Sequence, residues 1–372
     1  MGKILLFHNN AVPDKPRTYK SFLDESLEII IKQRFFQKIH INDNAGACLM
    51  TDTLKKIVNA DELIPSNYEF SNNSRDIVIT NNLHRIGSDL KIDISYWENV
   101  LKRVDKVIQL SFGFALHDGK IAPLEKDLEM LMHKFAERVE LAVRTEYDAD
   151  FLNRYGIKNV RVVGCPSLFY HMDRNFKVVD SGDKVKAVNF NFTTDFANLG
   201  ISPKDALEIH WKLAVYFMLK HFNGELKVDC TLQKNIIKEI SDIQRVLWNY
   251  SEIHQFYVDC GRYFYHIEDW INGIKTNNDF SMGTRFHGNI AAILAGVPTL
   301  MVNVDKRMMG MNDFFKIPSI DITEFDSDKP IEYYRKLADY SEFNNNYSKA
   351  YDNFVDYCKK NGVKLNYPNK ER

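Results

Sequence analysis

Short runs of aliphatic and β-branched residues alternate along this chain with longer stretches in which apolar residues recur every three or four positions. In the first half, the strand-like runs cover residues 3–7, 76–80, 106–110, 139–143 and 160–163, and the helix-like stretches cover 47–58, 96–104 and 123–138. Apolar spacings of three and four are typical of helices, and short unbroken apolar runs are typical of buried strands. Their alternation predicts an α/β fold with a mostly parallel sheet covered by helices.

The length of the chain predicts more than one domain. At 372 residues it exceeds the roughly 250–300 residues at which a single hydrophobic core usually stops growing. The polar stretch Ser181-Gly182-Asp183 interrupts the pattern, and a second series follows, with strands at 185–192, 255–259, near Phe280 and at 299–304, and helices at 203–222 and 285–295. We therefore predict two Rossmann-like domains, residues 1–175 and 184–372, that face a central cleft and bind ligands at the carboxyl ends of their strands.

Composition and charge exclude several classes of protein. The 49 basic and 50 acidic side chains nearly cancel, so the chain lacks the positive field that draws proteins to nucleic acid, and any membrane contact is peripheral. The longest apolar stretch, residues 290–302, is too short to cross a bilayer, and we expect a cytoplasmic protein. The five cysteines include no Cys-x-x-Cys pair, and no metal-ligand spacing is present. We expect reduced, buried thiols and neither a metal nor a cofactor.

Two segments share one layout, in which an arginine stands where a strand ends and a helix begins. Arg144 follows the strand at 139–143 and precedes a helix that ends at Gly156. Arg285 follows a second strand and precedes a helix that ends at Gly296. Glycine suits the position after a helix because it readily adopts left-handed backbone angles. The layout predicts that both arginines lie on the ligand-binding edges of their sheets.

The second of these helices carries a histidine close to its arginine. Thr284 is a favourable N-cap residue and would place Arg285 and His287 in the first turn. Cations there oppose the helix dipole by about 0.3–1 kcal/mol each, which favours an anion bound beside them. The dipole also favours neutral His287, the form that acts as a base. On local features alone, a structural ion pair and a hydrogen-bonded core histidine explain Arg285 and His287 equally well.

Two longer motifs resemble those of one enzyme family. Residues 281–308 read SMGTRFHGNIAAILAGVPTLMVNVDKRM and closely resemble the signature of polysaccharide pyruvyl transferases: Gly-x-Arg-x-His, a helix of small residues, Gly-Val-Pro, a strand, then Asp-Lys. Residues 142–169 read AVRTEYDADFLNRYGIKNVRVVGCPSLF and are similar to the family's arginine loop, helix, Gly-Ile turn, strand and proline. Looser similarity extends over residues 76–305, and the motifs keep the family's order and separation.

This resemblance implies a GT-B-like fold and a transferase of exopolysaccharide or cell-envelope synthesis. It implies transfer of the pyruvyl (carboxyethylidene) group of phosphoenolpyruvate to a sugar diol, on a sugar or a lipid-linked oligosaccharide, as a cyclic ketal. Carried over residue by residue, His287 is the catalytic acid/base, and Arg144, Arg285 and Lys306 bind phosphoenolpyruvate. The N-terminal domain is then the acceptor side and the C-terminal domain the donor side. No metal or other cofactor is implied.

The chain departs from the family pattern mainly in its first half. An early Asn-x-Gly-Asp pattern appears here as Asn44-Ala45-Gly46-Ala47, and Thr145 replaces the acidic residue that often follows the loop arginine. These departures favour a specialised acceptor. His84, Arg85 and Asp89 follow an early strand and are candidate acceptor-binding residues, although a polar surface loop explains them as well.

Two other functions stay open on the sequence. A GT-B glycosyltransferase that uses a nucleotide sugar would share the fold, but the second half lacks a pair of glutamates placed to frame a donor ribose. A non-catalytic carbohydrate-binding protein would have no need of both Arg285 and His287.

Overall fold

Two parallel sheets with helices packed around them form the structure. The computed structural model describes residues 2–7, 45–192, 213–221, 226–231 and 259–368, apart from short gaps at 66–67, 73, 82, 84–85, 87–91, 115, 118–119, 181, 215, 219, 263 and 265. One sheet is built from the first half of the chain and the other from the second half. The predicted α/β class with two Rossmann-like sheets is confirmed.

The first sheet has the strand order β2-β1-β3-β4, with all neighbours parallel. Its strands are β1 (Ile4–Phe7), β2 (Glu62–Ile64), β3 (Ile77–Thr80) and β4 (Lys106–Gln109). A short hairpin, β5 (Leu116–His117) and β6 (Lys120–Ile121), follows. Phe112, just beyond β4, pairs with Val143 and so joins the sheet to the parallel strands β7 (Leu141–Val143) and β8 (Val160–Val162). Its helices are α1 (Ala45–Ile57), α2 (Ile94–Arg103), α3 (Lys126–Arg138) and α4 (Glu146–Arg154).

The second sheet is parallel throughout, in the order β11-β10-β9-β12-β13-β14. Its strands are β9 (Ala187–Phe190), β10 (Lys227–Thr231), β11 (Gly261–Arg262), β12 (Phe280–Gly283), β13 (Thr299–Asn303) and β14 (Ser319–Asp321). Its helices are α5 (Ile267–Asn277), α6 (Phe286–Leu294), α7 (Lys306–Phe315), α8 (Ile331–Leu337) and α9 (Ser341–Asn361). If β9 is numbered as the first strand of this sheet, the strand order is 3-2-1-4-5-6, which is the order of Rossmann folds. In such folds, ligands bind at the point where the strand order reverses. Here the reversal falls between β9 and β12.

Most of the predicted elements occur where the sequence places them, with ends shifted by a few residues. Strands β2, β5, β6, β10, β11 and β14 and helices α5, α7, α8 and α9 were not predicted. Strand β10 escaped the pattern because its middle residue is Asp229, a buried carboxylate whose Oδ1 lies 3.1 Å from Arg262 Nε. The predicted helix 203–222 lies largely outside the described residues. So does the predicted strand 255–259, whose last residue, Asp259, is helical.

The last long helix, α9, packs against the first sheet although it follows the second in sequence. The Tyr347 hydroxyl donates to the Leu168 carbonyl at 3.0 Å, and the Tyr357 hydroxyl donates to the Glu140 carbonyl at 2.8 Å. The end of the chain therefore contacts the first half, and the sequence-based domain division stays a prediction.

Two further expectations concern the cysteines and the length of the apolar helices. None of the five cysteines forms a disulfide, and all five are buried. Among the residues that the structure describes, no helix is both long enough and apolar enough to span a bilayer.

Candidate functional site

The two arginines singled out by the sequence follow β7 and β12, at the carboxyl edge of each sheet. The glycines after the two helices, Gly156 and Gly296, have φ values of +78° and +75°. These are the left-handed backbone angles that the sequence prediction required. The repeated layout of strand, arginine, helix and glycine is present in both sheets.

Arg144 is buried, with 3% of its surface exposed. Its Nε donates to Ser111 Oγ at 2.8 Å, and its Nη2 lies 2.9 Å from the Sδ atom of Met50 on α1. A thioether is a weak acceptor, whereas a charge-assisted bond to an anionic oxygen is about twice as strong as a neutral one. If an anionic oxygen replaced the Met50 sulfur at Nη2, the new hydrogen bond would therefore be stronger than the contact that it displaced.

The helix after Arg144 begins with a capping box. Thr145 Oγ1 accepts from the Asp148 amide at 3.1 Å, and Asp148 Oδ2 accepts from the Thr145 amide at 3.1 Å. Burial raises the pKa of Asp148, while the hydrogen bonds from Thr145 and Phe114 and the charge of Arg144 lower it. Thr145, one of the departures from the family pattern, thus serves as the N-cap residue of α4.

Arg285 lies at the point where the strand order of the second sheet reverses. Its Nε donates to the carbonyl of Phe192, just beyond β9, at 3.3 Å, so its side chain spans β9 and β12. Its backbone is extended, with φ −98° and ψ 111°, and its carbonyl accepts from the Asn289 amide. The N-cap of α6 is therefore Arg285. The prediction of Thr284 is wrong by one residue, because the extended conformation continues one residue further before the helix starts.

Buried amides hold the start of α6 against both strands. Asn191 Nδ2 donates to Asn289 Oδ1 at 2.7 Å, and Asn289 Nδ2 donates to the Gly283 carbonyl at 2.8 Å. Both asparagines are fully buried. A Cβ at position 283 would lie 2.4 Å from Asn191 Oδ1, which explains the glycine of the Gly-x-Arg-x-His motif. Arg285 therefore lies at a sheet edge whose strands are joined to α6 by these buried hydrogen bonds.

His287 is half-buried in the first turn of α6, as predicted. Its Nε2 lies 3.6 Å from the Sγ atom of Cys165, which precedes a short 3₁₀ helix, Pro166–Phe169. A Cβ at Gly46 of α1 would lie 2.8 Å from its Nδ1. The imidazole belongs to the second half of the chain but contacts two elements of the first half.

A small apolar cluster lies between the surroundings of Arg144 and those of His287. Its members are four buried residues from both halves of the chain: Ala47, Met50, Cys165 and Met311. The partly buried side chain of Phe286 packs against them. Met50 contacts Arg144, and Cys165 contacts His287. The structure therefore brings Arg144 and His287 to the place where α1 meets α6, and Arg285 is the N-cap residue of α6.

Lys306 is exposed at the first position of α7, just beyond β13. A Cβ at Gly310, one turn along the same helix face, would lie 3.0 Å from Thr145 Cγ2. Lys306 is thus on the side of α7 that faces Thr145 at the start of α4.

The acceptor candidates His84, Arg85 and Asp89 lie outside the described residues. Sequence reasoning missed Met50, Ser111 and Cys165 because their contacts join residues 94, 33 and 122 positions apart. Sequence reasoning also missed Gly46 as a neighbour of His287. The one feature that could have indicated it is that Gly46 belongs to the Asn44–Ala47 tetrapeptide, which stands where the family has its early Asn-x-Gly-Asp pattern.

Comparison with known proteins gives one family. A profile described as polysaccharide pyruvyl transferase matches residues 17–306, which is most of the chain. No curated protein matches the sequence.

Several solved structures are similar to the chain at low identity. A functionally uncharacterised protein from Klebsiella pneumoniae is 13% identical with a TM-score of 0.38, over 79% of this chain and 95% of that one. MnaA from S. aureus, solved with UDP, is 14% identical with a TM-score of 0.42, over 96% of each chain. A variant of the wall teichoic acid polymerase TagF is 13% identical with a TM-score of 0.36, over 96% of this chain and 84% of that one. At these identities and TM-scores the likeness identifies no function.

Proposed function

Because this chain belongs to the polysaccharide pyruvyl transferase family, we propose that it transfers the pyruvyl group of phosphoenolpyruvate to a sugar diol as a cyclic ketal. The observation that carries the proposal is that Arg144 and His287 both contact residues where α1 meets α6, and that Arg285 begins α6 two residues before His287. Phosphoenolpyruvate presents a carboxylate and a phosphate, and a planar guanidinium binds two oxygens of either group at once. Two arginines from two sheets suit such a donor.

His287 is proposed to move the proton that this chemistry requires. The C2 atom of phosphoenolpyruvate forms a bond to each of two sugar oxygens, and its bond to the phosphate oxygen breaks. One hydroxyl proton reaches the methylene carbon through His287, the other leaves with the phosphate, and the products are the ketal and inorganic phosphate. Because His287 and Arg285 share the start of one helix, proton transfer and anion binding need little reorganisation.

The remaining cation, Lys306, is proposed to bind the phosphate from the exposed side of the site. A flexible ammonium at the rim suits a leaving phosphate, because it is a compact charge with rotatable donors. The acceptor is proposed to be a sugar or a lipid-linked oligosaccharide that reaches the site from the N-terminal side in the cytoplasm.

Turnover is proposed to need no divalent metal, since the arginines carry the charge that balances the phosphate. Activity should persist after dialysis against a chelator. Complete loss in chelator, with recovery on adding Mg²⁺ or Mn²⁺, would contradict this part of the proposal.

Thermal-shift titration separates this function from nucleotide-sugar glycosyl transfer, because a ligand that binds the native state raises the melting temperature. Phosphoenolpyruvate should raise the melting temperature of the wild-type chain, and UDP-sugars should leave it unchanged. The Arg285→Lys variant should lose most of the shift. A shift with UDP-sugars alone would favour glycosyl transfer and contradict the proposal.

A further inference from the structure

A network of buried polar side chains joins the start of α6 to two strands of the second sheet. Asn191 Nδ2 donates to Asn289 Oδ1 at 2.7 Å, and Asn289 Nδ2 donates to the Gly283 carbonyl at 2.8 Å. Asn191 Nδ2 also lies 3.4 Å from Ser281 Oγ, which donates to the Asn189 carbonyl at 3.1 Å. The side chains of the three asparagines and the serine are fully buried. None of them ionises, so the network is made of neutral hydrogen bonds alone.

The donors and acceptors of this network fit together in one orientation. The Gly283 carbonyl can only accept, so the Asn289 side chain must turn its NH2 group toward it. The Asn289 Oδ1 atom then faces Asn191, which must donate in turn. Asn191 Oδ1 is thereby directed at the backbone of Gly283, where a Cβ would lie 2.4 Å from it. Buried groups therefore hold α6 against β9 and β12 in a single arrangement.

The proposed donor-binding and acid/base residues of the second sheet lie within four residues of Asn289. The Asn289 amide donates to the Arg285 carbonyl at 3.1 Å, and His287 lies two residues before Asn289. Arg285 Nε donates to the carbonyl of Phe192, the residue after Asn191. A displacement of the start of α6 would therefore move the guanidinium and the imidazole together.

We infer that Asn289 is a positioning residue for Arg285 and His287, and that Asn191 is its partner on the strand side. The two amides fix where α6 begins, and they do so without touching the substrate. The consequence for catalysis rests on the proposed function. The anchoring of α6 is a property of the protein without substrate.

The neighbouring helix offers a matched control. Asn312 of α7 donates from its Nδ2 to Oδ1 of Asn303 on β13 at 2.7 Å, and both side chains are buried. An asparagine pair of the same length thus joins a helix to a strand in both places. Arg285 and His287 belong to α6 and not to α7. A purely structural amide pair should give equal effects in the two helices, whereas a positioning role should lower the rate only at α6.

Hydrogen exchange measures the anchoring of α6 without any ligand. Asn191→Ala removes the strand-side donor and leaves the sequence of α6 unchanged. Mass spectrometry on the full chain should show exchange about tenfold faster in a peptide that covers α6 and unchanged exchange in a peptide that covers α7. Asn312→Ala should give the reverse pattern. Unchanged exchange at α6 in Asn191→Ala would overturn the inference.

Kinetics tests the consequence for the reaction, with kcat followed as the release of inorganic phosphate from phosphoenolpyruvate. Asn289→Ala should lower kcat about 10- to 100-fold, since a displacement of about 1 Å at a reacting group can cost about 10²-fold in rate. It should weaken phosphoenolpyruvate binding about fivefold, as for one lost hydrogen bond. Alanine is favoured over asparagine inside a helix, so a gross loss of folding is not expected. Asn312→Ala should leave kcat within a few-fold of wild type.

Both variants are compared at a temperature at which circular dichroism shows them fully folded. Asn191→Ala combined with Asn289→Ala should be no slower than the slower single variant, because both substitutions break the same bond. Near-normal kcat in folded Asn289→Ala, or equal losses in Asn289→Ala and Asn312→Ala, would overturn the inference. Faster exchange at α6 in Asn191→Ala of a protein that transfers no pyruvyl group would instead contradict the proposed function alone.

Discussion

Arg144 and Arg285 occupy the same place in two copies of one layout, but they are supported differently. Arg144 is held by side chains, with Ser111 at its Nε and Met50 of α1 at its Nη2. Arg285 is held by the backbone carbonyl of Phe192, on an edge fixed by buried amides. A backbone support cannot be removed by substitution, whereas side-chain supports can. The second copy is therefore the rigid part of the site, and the first depends on the packing of α1.

The largest effect is expected at His287, the residue of the second copy that has no equivalent in the first. His287→Gln should lower kcat by about 10²–10⁴-fold and leave the affinity for phosphoenolpyruvate nearly unchanged, because a general acid/base acts in the transition state. Steady-state kinetics and a donor titration on the same variant measure both quantities. A stable His287→Gln protein with near-normal kcat would remove His287 from the mechanism.

A matched control lies at the other end of the same helix. His171 Nε2 donates to the carbonyl of Leu294, the last residue of α6, so its role is structural. His171→Gln should lower the melting temperature and leave kcat of the folded fraction within a few-fold of wild type. A loss of kcat as large as that of His287→Gln would show that α6 as a whole, rather than the imidazole of His287, sets the rate.

The two arginines should differ in what they contribute to stability. Arg144→Lys should lower the free energy of unfolding by about 2 kcal/mol. A lysine ammonium would be buried there without the hydrogen bond to Ser111, and it cannot contact Ser111 and Met50 at once as the planar guanidinium does. Arg285→Lys loses the longer bond from Nε to the Phe192 carbonyl, and that loss should cost about 1 kcal/mol. Urea unfolding of both variants measures the difference. The reverse order would contradict the assignment of Arg285 to the more rigid support.

Removing one support sharpens the comparison further. Ser111→Ala takes away the acceptor at Arg144 Nε and should weaken phosphoenolpyruvate binding about fivefold, the equivalent of one hydrogen bond of about 1 kcal/mol. Thr53→Ala is the control, since it removes a buried hydroxyl on α1 that donates to Leu49 and should change stability without changing affinity. Equal affinities for wild type and Ser111→Ala would mean that Ser111 does not orient Arg144.

The smallest effect concerns pH and the histidine at the end of α6. Burial lowers the pKa of His171, so the folded chain binds fewer protons than the unfolded chain between the lowered pKa and about 6.5. The contribution of His171 to the free energy of unfolding is then fully present above pH 6.5. It is lost as the pH falls through the lowered pKa, by at most about 1.4 kcal/mol per pH unit. His171→Gln should reduce the slope of unfolding free energy against pH in this window. An unchanged slope would contradict this origin of the pH dependence.

Patterns local in sequence predicted the elements of the site well. The strand, arginine, helix and glycine order placed Arg144 and Arg285 at sheet edges, because periodicity and left-handed glycines act over a few residues. Contacts across the chain could not be found in this way. Nothing in the sequence near Met50 or Cys165 marks them, and their places follow from the packing of α1 and α6. Strand β10 was missed for a related reason, since the partner that lets Asp229 be buried is 33 residues away.

The most direct test of the account is a calorimetric titration of phosphoenolpyruvate into the wild-type chain and into Arg144→Lys and Arg285→Lys. If one donor is held between the two sheets, each variant should bind about 10- to 100-fold more weakly, the equivalent of about 1.5–3 kcal/mol for a lost charge-assisted hydrogen bond. The residual affinity of Arg144→Lys should also improve less than that of Arg285→Lys on lowering the ionic strength, because Arg144 is the more deeply buried of the two. Wild-type affinity in both variants would show that phosphoenolpyruvate does not bind between Arg144 and Arg285, and would contradict the account.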